Sequence, residues 1–278
     1  MMIDDIFIED EKVALVGELN VVILSRSGPL SLNRFSPIGR SICFYGEHGW
    51  NELNFCKLFI QPSDIIFDVG AHQGTHTIVF ADAVGPSGAV HAFEPQRLMF
   101  QNICATAALN SKVNIHAQNV AVGDAKGKVR IVDFDYGKRG HFSGMKIAPG
   151  NTGAEVDLIT IDDYVEERDI ATINFLKIDV EGLEAKVLAG ARASIDRFKP
   201  VLYCEYHDSR NDIRRMVADM GYEMFKHAPA GYNADNYFKY PSDRFQGGQD
   251  HNAICIHSDH MPKYEPILTA NQSVIQKI

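Results

Sequence analysis

The chain has no C-x-x-C pair. Its five cysteines, Cys43, Cys56, Cys104, Cys204 and Cys255, are odd in number and scattered. That excludes a zinc module of paired thiolates, argues against a disulfide framework, and points to a reducing compartment. No window approaches the ~18 consecutive apolar residues of a membrane helix, so no membrane partner is expected. The opening MMIDDIFIEDEK is acidic and lacks the basic start and apolar run of a signal peptide. A soluble, cytoplasmic protein is the expectation. Basic residues are the minority, 27 Lys and Arg against 36 Asp and Glu, for a formal net charge of −9. A broad nucleic-acid face is therefore not expected, and the pairs Lys138-Arg139 and Arg214-Arg215 read as solvated surface. Internal repeats and low-complexity tracts are also missing.

From about Ser63 onward, short apolar runs alternate with helical segments. DIIFDVG, GAVHAFEP, VNIHAQNVAVGD, NFLKIDVEG and KPVLYCEYHD read as five strands. THTIVFADAV, QRLMFQNICATAALN and LEAKVLAGARASIDRF read as helices between them. This rhythm predicts an α/β fold, a doubly wound sheet of mostly parallel strands. The runs are apolar throughout rather than alternating, as in strands covered on both faces. Between Lys126 and Thr160 the pattern predicts a β-hairpin insertion with a Gly-rich loop. YEMFKHA and NAICIHSD read as closing strands joined by a polar, aromatic loop. Residues 1–55 carry β-leaning pieces (KVALVGE, NVVILS, RSICFYGE) and read as a small β-rich extension, a cap or a homo-oligomer contact; residues 56–278 form the main domain.

The chemistry concentrates at FDVGAHQGTHT, where a strand turns into a helix through Gly70 and Gly74. Three ligands compete for this corner. A metal is disfavoured: His72 and His76 have H-x-x-x-H spacing but no intervening Glu, and they straddle a glycine corner rather than one helix face. A dinucleotide is not specifically supported, because G-x-x-x-G lacks the middle glycine of G-x-G-x-x-G, and no G-x-x-x-x-G-K-[ST] occurs. S-adenosylmethionine carries no phosphate and needs a tight turn free of side chains, which Gly70 and Gly74 supply. Its ribose diol asks for a carboxylate at the end of the next strand. Glu94 stands there, followed by Pro95, which ends the strand. Asp68, His72, Thr77, Asn119, Val120 and Asp124 complete the candidate cofactor set, with Asn119 and Asp124 assigned to the adenine end.

DVGAHQGTHT, AFEP, NVAVGD and LKIDVEGLEAKVLAGA, with a later strand ending in CEYHD, resemble the FkbM-type family of S-adenosylmethionine-dependent methyltransferases over roughly Phe55 to Asp208. The resemblance implies a class I methyltransferase (Rossmann-like) sheet of seven strands with the last antiparallel. It also implies methyl transfer to an oxygen of a sugar, polyketide or other secondary metabolite, so the expected partner is a small-molecule or glycan acceptor. The family pattern tends to carry Asn where this chain has His72.

Methyl transfer to an alcohol requires positioning and removal of a proton. The candidate catalytic residues are Asp179 and Glu181, lining the reacting centre, and Glu205 or His207, which alternate along their strand and share a face, as base or orienting group. Asp179 and Glu181 could instead cap the following helix, since acids near a helix start are favourable. Some methyltransferases of this fold hold Mg²⁺ between acids at the places of Asp179 and Glu205; the primary expectation is a reaction without metal. Tyr45, His48, Trp50, His141 and the loop Tyr232–Tyr240 are candidate lids. A cofactor-binding pseudoenzyme and a nicotinamide-dependent oxidoreductase are the competing functions.

Overall fold

The computed structural model describes residues 12–140, 142, 152–244 and 248–278, and the backbone of a short strand pair, β1 (Met2–Ile3) and β2 (Ile6–Phe7). Three antiparallel strands follow, β3 (Val13–Val16), β4 (Asn20–Ser25) and β5 (Gly28–Asn33). Two helices complete the N-terminal unit, α1 (Pro37–Tyr45) and α2 (Trp50–Lys57). These helices correct the β-rich expectation for residues 1–55. RSICFYGE looks β-prone, yet most of it lies in α1 because its end signals decide. Ser36 accepts the Gly39 N–H at 2.9 Å, Pro37 pre-sets the first turn, and Gly46 ends the helix at φ 71°. The anticipated boundary at residues 55/56 also falls inside α2.

The α/β alternation then appears as read: β6 (Ile65–Val69), α3 (Thr75–Val84), β7 (Ala89–Phe93), α4 (Arg97–Leu109) and β8 (Ile115–Gln118). β9 (Ala121–Val122) leaves the main sheet. It pairs in parallel with β11 (Ala154–Ile159), which forms the expected antiparallel hairpin with β10 (Gly127–Ile131). After α5 (Ile161–Glu167) comes β12 (Phe175–Ile178). The single helix expected next is two, α6 (Glu184–Gly190) and α7 (Arg192–Phe198), separated at Ala191 with φ −111° and ψ 5°. β13 (Val201–Glu205), α8 (Asn211–Asp219), β14 (Tyr222–His227), β15 (Asn252–His257), α9 (Met261–Ala270) and β16 (Ile275–Lys277) close the chain.

The main sheet has the order β8-β7-β6-β12-β13-β15-β14-β16. β8, β7, β6, β12 and β13 are parallel, and β15 runs against both its neighbours. The sheet has eight strands rather than seven, because β16 adds an antiparallel edge on β14. Side chains alternate between two cores along each strand. Ile66, Val90, Phe175, Val201, Tyr203 and Ile254 pack with α3, α9 and the N-terminal unit. Phe67, Phe93, Leu176, Ile178, Leu202 and Cys255 pack with α5 to α8. Truncating a fully buried ring such as Phe175 to Ala costs roughly 3–5 kcal/mol. The N-terminal unit is docked on α4 by polar contacts: Asn20 to Asn102 at 2.8 Å, Ser31 N–H to Thr106 at 3.0 Å, and Asn110 to the Pro29 carbonyl at 2.7 Å. The chain departs in opposite directions from β6 and β12, so the crevice at their carboxyl ends is the topological switch point where ligands of such sheets bind.

Candidate active site

Two cavities meet at that switch point. A narrow cleft is lined by Val69, Gly70, His72, Phe93, Glu94, Pro95, Gln96, Val120 to Val122, Asp179 and Val180. Gly70 is the tightest point. At φ 83°, a Cβ there would lie 1.8 Å from the Asp179 carbonyl oxygen, so the turns after β6 and β12 approach only because no side chain intervenes. Glu94 stands at the end of β7, 3% exposed, and its carboxylate accepts the backbone N–H groups of His72 at 2.9 Å and Gln96 at 2.8 Å. Burial lifts its pKa to about 7, against those two bonds. A buried carboxylate on the cleft wall, beside a turn stripped of side chains, suits a neutral diol. An anionic phosphate would be repelled there.

The other sequence candidates divide around this cleft. Val120 and Pro95 line it, while Asn119 donates to the Glu94 and Pro95 carbonyls at 2.9 Å each and pins the turn. Asp124 is exposed and lies outside the lining; the strand it was expected to end stops at Gln118. Gly74 begins α3 and faces Ile103 rather than the cleft. Asp68 and Thr77 sit beneath the cavities: Thr77 donates to Asp68 at 2.6 Å, and Lys177 lies 3.6 Å from the same carboxyl group.

The second cavity, of about 220 Å³, is polar. Its walls include His48 and Glu52 from the N-terminal unit, Thr75 and His76 from α3, Lys177 near the end of β12, Asp179 and Glu181 from the turn after it, Glu205 at the end of β13, and Asp250 to Asn252 before and at β15. Gly70, His72 and Asp179 line both cavities. Sequence alternation placed Asp179 and Glu181 on one extended segment; instead β12 ends at Ile178, and Glu181 and Gly182 turn at φ 55° and 98°. Asp179 lines both cavities and Glu181 the second alone.

Charge in this cavity is organised in pairs. Lys177, 2% exposed, donates to Asp179 at 3.1 Å; burial opposes its charge, yet Asp179, Asp68 and Glu52 hold its pKa above the usual value. Glu52 lies 3.3 Å from His76 Nε2. Burial pushes Glu52 up, but His76 and Lys177 pull harder and hold it at about 2. Burial lowers His76 and Glu52 more than compensates, leaving it raised. Burial keeps His48 and His72 near 4, and both ring nitrogens of buried His72 lack a hydrogen-bond partner among the described residues. Glu205 is pushed up to about 8 by burial and by Asp179, Glu181 and Glu184, and Asp250 to about 6 by burial and Glu52.

His207 lies outside both linings; its side chain is 56% exposed, 3.5 Å from Glu205. The N-cap of α6, Leu183, has no side-chain cap; Glu184, in the first turn, accepts the Gly182 N–H at 2.8 Å and pairs with Arg210 at 2.8 Å. Of the candidate lids, His48 lines the second cavity. Tyr45 packs edge-on against Tyr232 and Tyr240, and Trp50 lies under Arg26 and Lys57. His141 is outside the described residues. Among the described residues, no group of three His, Cys, Asp or Glu side chains is arranged to hold a metal ion. Glu52, His76, Lys177 and Asp250 are site residues the sequence motifs missed. Lys177 carried a signal, a lysine inside the apolar strand FLKI, and His76 was considered only as a metal ligand.

A family model described as a methyltransferase FkbM domain matches residues 68–224, more than half of the chain. The 31-O-demethyl-FK506 methyltransferase FkbM of Streptomyces tacrolimicus is 31% identical over 188 residues, covering 57% of this chain and 71% of that protein. The 2-O-methyltransferase NoeI of Sinorhizobium fredii (strain NBRC 101917 / NGR234) is 23% identical over 172 residues, covering 55% of this chain and 67% of that protein. Among solved structures, a methyltransferase FkbM from Methylobacillus flagellatus KT aligns at a TM-score of 0.48 with 20% identity, over 69% of this chain and 43% of that one. The family match, together with a relative aligned over most of its own length, establishes that the chain belongs to the FkbM methyltransferase family.

Proposed function

We propose that this protein is an S-adenosylmethionine-dependent O-methyltransferase acting on a hydroxyl of a small, polar acceptor. The observation that carries the reading is the junction of two cavities at Gly70, His72 and Asp179. One cavity ends on the buried Glu94 carboxylate; the other is lined almost wholly by polar groups. The names of two relatives, both O-methyltransferases, agree with an oxygen acceptor.

The cleft fits this cofactor on its own chemistry. Glu94 would accept the ribose hydroxyls, Gly70 would let the chain of the ligand pass, and the unpartnered nitrogens of His72 would meet its amino-acid end. Bound there, S-adenosylmethionine supplies an electrophilic methyl on a cationic sulfur. The protein's part is to orient the acceptor and keep water out. Lys177 fixes Asp179 at the junction. Glu205, protonated below about pH 8, donates a hydrogen bond to an acceptor oxygen rather than taking its proton. The N-terminal unit acts as a wall of the acceptor cavity through His48 and Glu52.

Calorimetry with S-adenosylhomocysteine and with NAD tests the cofactor, and methyl release against sugar and polyketide alcohols tests the reaction. Binding of S-adenosylhomocysteine with turnover of an alcohol is expected. Binding of NAD alone would replace the reading by an oxidoreductase. Cofactor binding with no turnover on any acceptor would leave a pseudoenzyme.

A further inference from the structure

We propose that His76, oriented by Glu52, is the base that takes the acceptor's proton during methyl transfer. The proposal rests on the function just given. It assigns the role to a pair that no motif marks, with one member in α2 and the other in the second position of α3.

Glu52 and His76 form a buried ion pair, close enough for a carboxylate to orient an imidazole but without a well-aligned hydrogen bond among the described residues. Glu52 is 6% exposed, and its oxygen stands 3.3 Å from His76 Nε2. A proton on Nε2 faces the Glu52 carboxylate and leaves the Nδ1 lone pair as the acceptor of the ring. Nδ1 makes no hydrogen bond among the described residues, and His76 lines the acceptor cavity. The ring is braced by Phe80, 5.9 Å away on the same helix, and its neighbour across the turn is Gly49. Nucleophile activation by a base that a third group orients is the general logic of such pairs.

Four other groups of the cavity are poorer proton acceptors. Asp179 is committed to Lys177. Glu205 is already protonated below about pH 8. Burial holds His48 and His72 near 4, where an imidazole has little affinity for a proton. The charged and titratable groups facing His76 are Glu52 on α2, His48 before it, Lys177 at the end of β12, Asp68 on β6 and Asp250 before β15. Glu52 dominates among them and favours the imidazolium that forms. In the step itself the acceptor O–H proton passes to Nδ1, the oxygen pair forms the bond to the methyl carbon, and the carbon–sulfur pair stays on sulfur as a neutral thioether. The imidazolium then loses its proton to water.

Glu52→Gln and His76→Asn test the assignment, with S-adenosylhomocysteine affinity as the check on folding. Titration of the His76 ring by NMR in the wild type and in Glu52→Gln should show its pKa falling in the variant. The acid limb of kcat should move to lower pH in step. His76→Asn should lower kcat by about 10²–10⁴-fold, with S-adenosylhomocysteine affinity unchanged within twofold. An NMR pKa indifferent to Glu52, or a His76→Asn enzyme that keeps its acid limb and its kcat, overturns the dyad alone. A wild-type protein that binds no S-adenosylhomocysteine, or turns over no alcohol, overturns the function and the dyad with it.

Discussion

Replacing Glu94 by Gln separates what this carboxylate does for binding from what it costs the fold. Its folded pKa is about 7 against 4.5 for the free group, and it is buried, so bulk screening is slight. A raised acid pKa means the folded state holds the proton more tightly than the unfolded state. Stability from this group is therefore greatest at low pH and is lost as pH rises from about 4.5 through 7. At 1.36 kcal/mol per unit, and allowing for partial ionisation of the unfolded chain at pH 5, the loss between pH 5 and pH 8 is about 2.5 kcal/mol. Gln cannot ionise, but its amide offers one acceptor oxygen to two backbone donors. It should thus be less stable than the wild type at pH 5 by roughly 1–3 kcal/mol. The gap should shrink by about 2.5 kcal/mol at pH 8. Urea unfolding of the ligand-free proteins at pH 5, 6, 7 and 8 measures it, since Glu205 and Asp250 contribute equally to both curves and cancel in the difference. A gap that does not change with pH would refute the assignment of this charge penalty to Glu94.

Other outcomes follow from the same geometry. Gly70→Ala should destabilise the fold by more than about 2 kcal/mol and abolish S-adenosylhomocysteine binding, because its Cβ would strike the Asp179 carbonyl; thermal unfolding and calorimetry check both. Lys177→Met leaves Asp68 and Asp179 without their cation and should cost about 3–5 kcal/mol by urea unfolding. The pH profile of kcat should fall again on the alkaline side near 8 as Glu205 ionises, and Glu205→Gln should remove that limb.

How much of this was legible in the residues depends on the range of the interaction involved. The parallel strands were readable because each is a short apolar run, and Gly70, Glu94 and Val120, which line the narrow cleft, could be picked out because they follow consecutive strands. RSICFYGE was misread because intrinsic preference favoured strand, while Ser36, Pro37 and Gly46 bracketed a helix. The acceptor cavity was the harder part. Glu52 and His76 are brought together only when α2 packs on α3, and Asp250 arrives from a polar loop without periodicity. His207 shares a face with Glu205 as alternation required, but lies where the strand has already ended, and so faces solvent.

A crystal structure with S-adenosylhomocysteine puts the central claim to the most direct trial. The ribose hydroxyls are expected within hydrogen-bond distance of Glu94, with the sulfur between His72 and Asp179 and facing the cavity that Glu52 and His76 line. Density for the ligand anywhere else, or a ribose that leaves Glu94 bonded only to the His72 and Gln96 backbone, would contradict it.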